Sequence, residues 1–209
     1  VRIDRLASGL RVSTPDGTID RLRPALAGAH QEDNAAIAAA VLLALRTRGI
    51  DVPDAAIRAG VRRVRWPGRL ERIARGPGTP DVLLDAAHNP EGAVALAAHL
   101  RSLARTAPRV LVFGAMHDKA WPAMLAAVAP EIDRAVYCAP ALGRAEAPAR
   151  LCESSPIGGE VAGDPVGARA RADTLAGPGG LVVVSGSIFV LAAVRAHVLG
   201  VRADPPIAM

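Results

Sequence analysis

The sequence predicts an α/β fold in which a doubly wound, mostly parallel sheet follows a smaller amino-terminal part. From Trp66 onward, short runs rich in Val and Leu alternate with Ala-rich runs of helical length. Parallel strands read as near-continuous apolar runs because helices cover both faces of their sheet. The 209 residues, 51% of them hydrophobic and 22% charged, suffice for one domain with a sizeable core or for a domain plus a fragment.

The first 60 residues predict a hairpin followed by two helices. Two weakly alternating strands, residues 10–13 and 18–22, flank Pro15-Asp16-Gly17, which is a good tight-turn signal. Helical periodicity then covers residues 32–48 and, more briefly, residues 54–61. Because two strands alone cannot form a stable sheet, we interpret this part as the edge of a domain whose remainder is missing.

The first predicted helix carries Ile37, Val41, Leu42 and Leu45 on one face. If the rest of the domain is missing, the stripe formed by Ile37, Val41 and Leu45 should expose apolar surface. We therefore expect aggregation or dimerisation through this face.

The later part of the chain predicts five strands and four helices, and residues 143–163, rich in Pro, Gly and Ser, look least structured. The strands are expected at residues 70–74, 82–85, 110–113, 135–138 and 181–184, and the helices near residues 91–104, 121–129, 165–175 and 188–199. The predicted domain limits are residues 1–62, 63–200 and a tail over 201–209.

Composition narrows the class of partner. The formal net charge of +5 comes almost entirely from arginine, since Lys119 is the only lysine. The arginines are scattered and five aromatic residues form no stacking platform, so we expect no nucleic-acid partner, whereas an anionic small ligand fits the charge. Cys138 and Cys152 lie in unrelated contexts and are interpreted as plain thiols rather than as a disulfide or metal site.

Nothing in the sequence predicts a membrane segment or a leader. No apolar run approaches the roughly 18 to 20 residues needed to span a bilayer, and the first residues lack a basic flank before an apolar stretch. We therefore expect a cytoplasmic chain with no membrane partner. Because its first residue is valine, the chain either uses an alternative start codon or begins inside a longer protein.

Polar residues follow several predicted strands, where ligands bind in a doubly wound sheet. Asp85 and His88 follow the strand at residues 82–84, and Asn89 with Pro90 suits the start of the next helix. A carboxylate there can hold a ribose hydroxyl or a metal-bound phosphate, and an imidazole can orient or deprotonate an amine. The alternative is that Asp85 and His88 only bond to their own turn and helix cap.

Three further positions are candidates for anion or substrate contacts. Lys119, next to Asp118, could contact an anion, or the two could form an exposed charge pair. Ser187 could cap the last helix or donate its hydroxyl to a carboxylate. Arg69, in the segment joining the two parts of the chain, could contact phosphate or carboxylate in a bidentate manner, or lie on the surface after a turn.

Two common nucleotide motifs are absent from the sequence. No G-x-x-x-x-G-K-[ST] phosphate loop occurs, and no G-x-G-x-x-G follows a strand. The chain therefore has no phosphate cradle of its own, and a nicotinamide cofactor is not indicated.

Five segments occur in an order typical of one family: residues 28–35, 66–71, 85–90, 113–119 and 185–187. Over nearly its whole length the chain closely resembles the C-terminal half of bifunctional folylpolyglutamate synthase/dihydrofolate synthases, members of the Mur ligase superfamily. The resemblance implies a Mur ligase C-terminal-domain-like sheet preceded by a remnant of the central ATP-binding domain.

The resemblance also implies an ATP-dependent ligase. In that family the carboxylate of dihydropteroate or folate is phosphorylated, the amine of L-glutamate attacks the acyl phosphate, and phosphate leaves. By the same resemblance Asn34, Arg69 and Asp85 contact ATP, His88 and Ser187 serve activity and glutamate placement, and Lys119 lies in a turn on the nucleotide side.

The family's phosphate loop, magnesium ligands and pterin pocket lie in the N-terminal half, which this chain lacks. We therefore expect Mg²⁺ to be held by that missing half, which would be an obligatory partner, and the isolated chain to be inactive or nearly so. Two alternatives stay open. One is a non-catalytic nucleotide- or glutamate-binding module that completes a separate partner, and the other is a fragment of a ligase acting on a peptidoglycan precursor.

Overall fold

A computed structural model describes residues 1–202 and divides the chain into two compact units, residues 1–67 and the part from Gly68 onward. Of the predicted tail, residues 203–209 lie outside the described residues. Within residues 1–202, no helix is both long and apolar enough to cross a membrane.

The first unit is a three-stranded antiparallel meander with two helices. Its elements are β1 (Arg2–Leu6), β2 (Gly9–Thr14), β3 (Gly17–Leu22), α1 (Ala29–Arg46) and α2 (Asp54–Arg63). The predicted hairpin is confirmed as β2 and β3, joined by Pro15 and Asp16. The third strand, β1, pairs with β2 and was not predicted, because its Arg2-Ile3-Asp4-Arg5-Leu6 sequence is mostly charged and mostly exposed.

Helix α1 packs a face of mostly small residues against the strands. Ala36, Ala39 and Leu43 are buried with the apolar residues of β2 and β3. On the other face Ile37 is 56% and Val41 54% exposed. The expected apolar stripe is therefore present but narrower than predicted, since Leu42 and Leu45 are partly buried.

The second unit is a six-stranded sheet in the order β4-β5-β9-β6-β7-β8. Only β4 is antiparallel to its neighbour, so the predicted doubly wound, mostly parallel sheet is confirmed. The strands are β4 (Glu71–Ile73), β5 (Asp81–Leu84), β6 (Arg109–Phe113), β7 (Arg134–Tyr137), β8 (Gly159–Val161) and β9 (Leu181–Ser185), and the helices are α3 (Pro90–Ser102), α4 (Trp121–Val128), α5 (Pro148–Glu153), α6 (Pro165–Ala176) and α7 (Ile188–Leu199).

Successive strand residues alternate between two apolar cores, as the pleat requires. Leu83, Leu111 and Val183 face a core formed with α3, α4 and α5. Their neighbours Val82 and Val112 face a second core formed with α6 and α7. Because both faces are buried, the central strands carry continuous apolar runs, and these runs predicted them from the sequence.

The interpretation of residues 143–163 as the least structured part was wrong. This segment contains the six-residue helix α5 and the three-residue strand β8, which pairs in parallel with β7. Both elements are too short to show a period of their own. The segment is held to the sheet by the buried Tyr137 hydroxyl. This hydroxyl lies 2.6 Å from Ser155 Oγ and 2.9 Å from the Ile157 carbonyl oxygen.

Strand β4 is tied to α7 by an ion pair. The Arg195 guanidinium donates to both carboxylate oxygens of Glu71 at 2.8 and 3.0 Å, and the Gly68 N–H donates to the same carboxylate at 2.8 Å. These contacts, Arg195 foremost, hold the Glu71 pKa below its ordinary value despite partial burial. A carboxyl group with a depressed pKa stabilises the fold above its unfolded pKa, and that contribution is lost as pH falls through the folded pKa.

We expect Glu71→Gln to lower the free energy of unfolding by about 1–3 kcal/mol at pH 7, because hydrogen bonds to a charged group are lost. The difference in the free energy of unfolding between Glu71→Gln and the wild-type chain should narrow as pH falls below the ordinary glutamate pKa of about 4.3. Urea unfolding followed by circular dichroism at pH 7 and at pH 3.5 measures both. Glu153→Gln, at an exposed position in α5, is the control, and an equal loss at the two pH values would contradict the assignment.

Candidate functional site

The candidate site lies where β5, β9 and β6 end side by side. The Gly186 N–H after β9 donates to the Ala87 carbonyl after β5 at 3.1 Å. Gly186 has φ +100, and a Cβ there would lie 2.6 Å from the Gly114 carbonyl oxygen after β6. Only glycine fits both the backbone angle and this close approach, so the three strand ends are brought into contact.

Asp85 is the buried polar group at the centre of this edge, with 5% of its surface exposed. One carboxylate oxygen accepts the Leu70 N–H and the other the Ala87 N–H, both at 3.0 Å. The local turn contacts considered from the sequence are therefore present. They occupy one acceptor position on each oxygen, and a carboxylate oxygen can accept more than one hydrogen bond.

The turn that Asp85 holds has an unusual backbone. Leu70 is a non-glycine residue in the left-handed region, with φ 48, although its side chain is buried in the core. A bulky residue adopts this conformation only when its surroundings impose it. The Asp85 carboxylate imposes it from one side. Gly68, whose carbonyl accepts the Ala86 N–H at 2.7 Å, imposes it from the other.

This turn positions Arg69, the residue between Gly68 and Leu70. Its side chain is partly exposed. Gly68 has φ +77 and packs so closely against Leu191 of α7 that a Cβ would meet that side chain at 2.8 Å. Glycine is thus required at position 68 by the backbone angle and by the close approach to Leu191.

His88 and Ser187 lie on the two loops that meet at this edge. His88 is exposed, with Nδ1 2.9 Å from the Ala86 carbonyl oxygen, a contact that leaves Nε2 on the far side of the ring. Ser187 is 5% exposed and caps α7 by accepting the Phe189 N–H at 3.3 Å. Its hydroxyl hydrogen is not used in this bond. Asn89 caps α3 through the Gly92 N–H with Pro90 following, as predicted.

Lys119 and Asn34 are the two remaining residues that the sequence predicted as nucleotide contacts. Lys119 follows β6 and is 39% exposed, 3.9 Å from Asp118 in a loose pair. Its loop is joined to residues 144–145 rather than to Asp85, through the His117 N–H and a bridge at Met116. Asn34 belongs to the first unit, where it is exposed on α1 and donates to Gln31 at 3.3 Å.

Other chemistry at this edge is limited by the residues present. Burial raises the pKa of Cys138, directly after β7, to about 12, so its thiol stays protonated near neutral pH. Among residues 1–202, no group of three His, Cys, Asp or Glu side chains is placed to hold a metal ion. Two cavities, of about 610 and 520 Å³, lie elsewhere, one in the first unit and one at the amino ends of β6 and β7.

The residues that shape the site were only partly visible in the sequence. Glu71 lies in the segment of residues 66–71, but the sequence does not indicate its ion pair, because its partner Arg195 lies 124 residues away. The left-handed conformation of Leu70 carries no sequence signal, because leucine is not a residue that favours it.

We expect Asp85→Ala to lower the free energy of unfolding by about 1–3 kcal/mol, because two buried N–H groups lose their acceptor. Urea unfolding followed by circular dichroism measures the change. Asp118→Ala, which removes an exposed carboxylate from the neighbouring strand-end loop, should change stability by less than about 0.5 kcal/mol. Equal effects of the two substitutions would contradict the role of Asp85.

Comparison with known proteins identifies the family of this chain. Residues 68–188 match the family model described as Mur ligase, glutamate ligase domain. The chain is 37% identical over 203 residues to a probable bifunctional folylpolyglutamate synthase/dihydropteroate synthase of Haloferax volcanii, covering 93% of this chain and 23% of that protein. It is 36% identical over 106 residues to the Escherichia coli dihydrofolate synthase/folylpolyglutamate synthase, covering 51% of this chain and 24% of that one.

Solved structures agree with the sequence comparison. Escherichia coli FolC in complex with DHPP and ADP superposes with a TM-score of 0.80 at 29% identity, over 95% of this chain and 45% of that one. Mycobacterium tuberculosis folylpolyglutamate synthase complexed with ADP and AMPPCP gives a TM-score of 0.76 at 27% identity, over 98% and 48%. The chain thus spans less than half the length of these relatives. Since the family model covers more than half of the chain, the chain belongs to the Mur ligase family and carries its glutamate ligase domain.

Proposed function

We propose that this chain supplies the glutamate ligase domain of an ATP-dependent ligase that joins L-glutamate to dihydropteroate or folate. The observation that carries the proposal is the match of residues 68–188 to a glutamate ligase domain, within a chain whose relatives are named as folylpolyglutamate or dihydrofolate synthases. These names favour the folate branch over a ligase for peptidoglycan precursors.

The proposed reaction proceeds in two steps. ATP transfers its terminal phosphoryl group to the substrate carboxylate, giving an acyl phosphate and ADP. The amine of glutamate then attacks the acyl carbon, the amide bond forms, and inorganic phosphate leaves with the C–O bond electrons while the amine loses a proton. Solved relatives with ADP, or with AMPPNP, manganese and L-glutamate, support this choice of ligands.

We assign nucleotide contacts to Arg69 and Asp85. The main chain of the turn that carries Arg69 is fixed on both sides, and its guanidinium can bind a phosphate or carboxylate in a bidentate manner. A carboxylate at the position of Asp85, after a central strand, can hold a ribose hydroxyl. Asn34 and Lys119 are proposed as further nucleotide contacts on the resemblance to the family alone.

His88 and Ser187 are proposed to act on glutamate. The exposed ring of His88 presents Nε2 away from its main-chain contact, where a neutral imidazole could take the proton released by the attacking amine. The Ser187 hydroxyl can donate to a glutamate carboxylate while its oxygen caps α7, and the helix amino terminus adds favourable charge for an anion.

The residues present do not fit a magnesium site. Within residues 1–202 no cluster of three candidate ligands exists, and the sequence has no phosphate loop. We therefore propose that both are supplied by a further part of the protein, and we assign no step to the metal in this chain. Residues 1–62 are proposed to be a remnant of a central ATP-binding domain.

We expect the chain to bind ATP with millimolar or tighter affinity and Arg69→Ala to weaken binding at least about tenfold, a loss of roughly 1.4 kcal/mol. Isothermal titration calorimetry measures both values. Arg134→Ala is the matched control because it removes an exposed arginine at the amino end of β7. No loss in Arg69→Ala, or an equal loss in the control, would contradict the assignment.

Ligation itself is tested by the incorporation of labelled glutamate into dihydropteroate and tetrahydrofolate. Residues 1–209 alone should show none, and a longer polypeptide that adds a phosphate loop should show ATP-dependent incorporation that His88→Ala reduces. Ligation by residues 1–209 alone would contradict the expected inactivity. Nucleotide binding without ligation in the longer polypeptide would favour a non-catalytic binding module.

The exposed stripe on α1 is proposed to be the face that the further part of the protein covers. Ile37 and Val41 are each more than half exposed and lie one turn apart on the same face of the helix. Adjacent exposed large apolar residues are typical of a contact surface.

We expect residues 1–209 to self-associate through this stripe and Ile37→Lys/Val41→Lys to be monomeric in analytical ultracentrifugation. The control Val94→Lys/Val161→Lys replaces two apolar residues that are equally exposed, at 59% and 53%, but lie on separate elements. The control should leave self-association unchanged, and a monomeric wild-type chain would contradict the expectation.

A further inference from the structure

Four arginines converge on the cavity of about 610 Å³ in the first unit. Its lining consists of Ser8, Arg21, Arg23, Ala55, Arg58, Ala59 and Arg62. The volume lies within the range of small-molecule sites. All of these residues belong to the first unit, so the cavity is complete without any other part of the chain.

Helix α2 provides one wall of the cavity. Ala55, Arg58, Ala59 and Arg62 are spaced by three and four residues and therefore lie on one face of the helix. Arg58 and Arg62 lie one turn apart on this face, and Ala55 and Ala59 are small residues beside them. The face therefore combines two guanidinium groups with two side chains that take up little space.

A bulge in β3 provides the opposite wall. Leu10 pairs with Leu22 and Val12 with Ile19, so two residues of β3, Asp20 and Arg21, stand opposite the single residue between Leu10 and Val12. Arg21 adopts φ 61, in the left-handed region that arginine seldom occupies. Bulges redirect side chains from the regular pleat, and this one is followed by Arg23, which also lines the cavity.

The positive charge in the cavity is only partly balanced by nearby carboxylates. No carboxylate is among the lining residues. Asp20 pairs with Arg11, which, with smaller effects from Arg21 and Arg58, holds the Asp20 pKa below its ordinary value. Asp54 pairs with Arg46 at 2.7 Å and with Arg58 at 3.3 Å. Two carboxylates shared with other arginines therefore stand against four lining guanidinium groups.

Two of the arginines are oriented by the main chain and two are not. Arg23 Nε donates to the Ser8 carbonyl at 3.1 Å, and Arg58 Nη1 lies 3.4 Å from the Asp20 carbonyl oxygen. Each keeps further N–H donors. Within residues 1–202, the guanidinium groups of Arg21 and Arg62 make no hydrogen bond or ion pair, and Arg21 interacts with Asp20 only at longer range. The cluster thus combines fixed donors with donors that can turn toward a ligand.

We infer that this cavity binds a small anion that carries several carboxylate or phosphate groups. Four guanidinium groups around one concave surface provide bidentate donors for several such groups at once, which a singly charged anion could not use. The four positive charges repel one another, and a multiply charged anion offsets this repulsion better than a singly charged one. This site is separate from the proposed ligase function and does not depend on it.

The test is calorimetric titration of residues 1–209 with tripolyphosphate and, separately, with tri-γ-glutamate at low salt. The variant Arg21→Asn/Arg62→Gln removes two charges, and asparagine tolerates the left-handed backbone at position 21. Arg48→Gln/Arg65→Gln removes two exposed arginines of the same unit that do not line the cavity. Arg62→Gln alone provides a second variant that leaves the bulge untouched.

Binding of at least one probe, weakened tenfold or more by Arg21→Asn/Arg62→Gln and less than twofold by the control, supports the site. The probe that binds more tightly identifies phosphate or carboxylate as the preferred group. If neither probe binds, or if the control weakens binding as much as the cavity variant, the inference is overturned. Should the double variant unfold, a threefold or greater weakening by Arg62→Gln alone supports the site and an unchanged affinity overturns it.

Discussion

The Asp85 carboxylate is the contact on which the strand-end edge of this molecule depends. By accepting the Leu70 and Ala87 N–H groups, it joins the turn before β4 to the loop after β5. The loop after β9 is attached in turn through Gly186 and Ala87. A buried carboxylate is stable only when its oxygens are hydrogen-bonded, so the fold of these loops and the burial of Asp85 require each other.

The candidate residues lie on a main chain that the core of the glutamate ligase domain holds in place. The doubly buried sheet fixes the strand ends, the Glu71–Arg195 pair fixes the edge strand to α7, and Gly68 lets the turn approach Leu191 closely. The turn that carries Arg69 is thus anchored in the core.

The sequence predicted the elements that have a periodic or continuous apolar pattern. It missed very short elements and contacts between residues that are distant in sequence. Four of the five expected strands, β5, β6, β7 and β9, could be predicted because each contains a continuous run of apolar residues. In contrast, β1 is too charged and α5 and β8 are too short to give a periodic signal. Candidate site residues could be found from their positions after strands. The bond from Asp85 to Leu70 and the pair from Glu71 to Arg195 could not, because they join residues distant in sequence.

The most direct test of this account is residue-resolved amide hydrogen exchange of residues 1–209 by NMR without any ligand. If Asp85 holds the edge in the chain by itself, the Leu70 and Ala87 amides should exchange as slowly as the core amides of β9, with opening free energies near that of global unfolding. Rapid exchange at Leu70 and Ala87, with protected β9 amides, would contradict it. The strand-end loops would then form only when a further part of the protein is present.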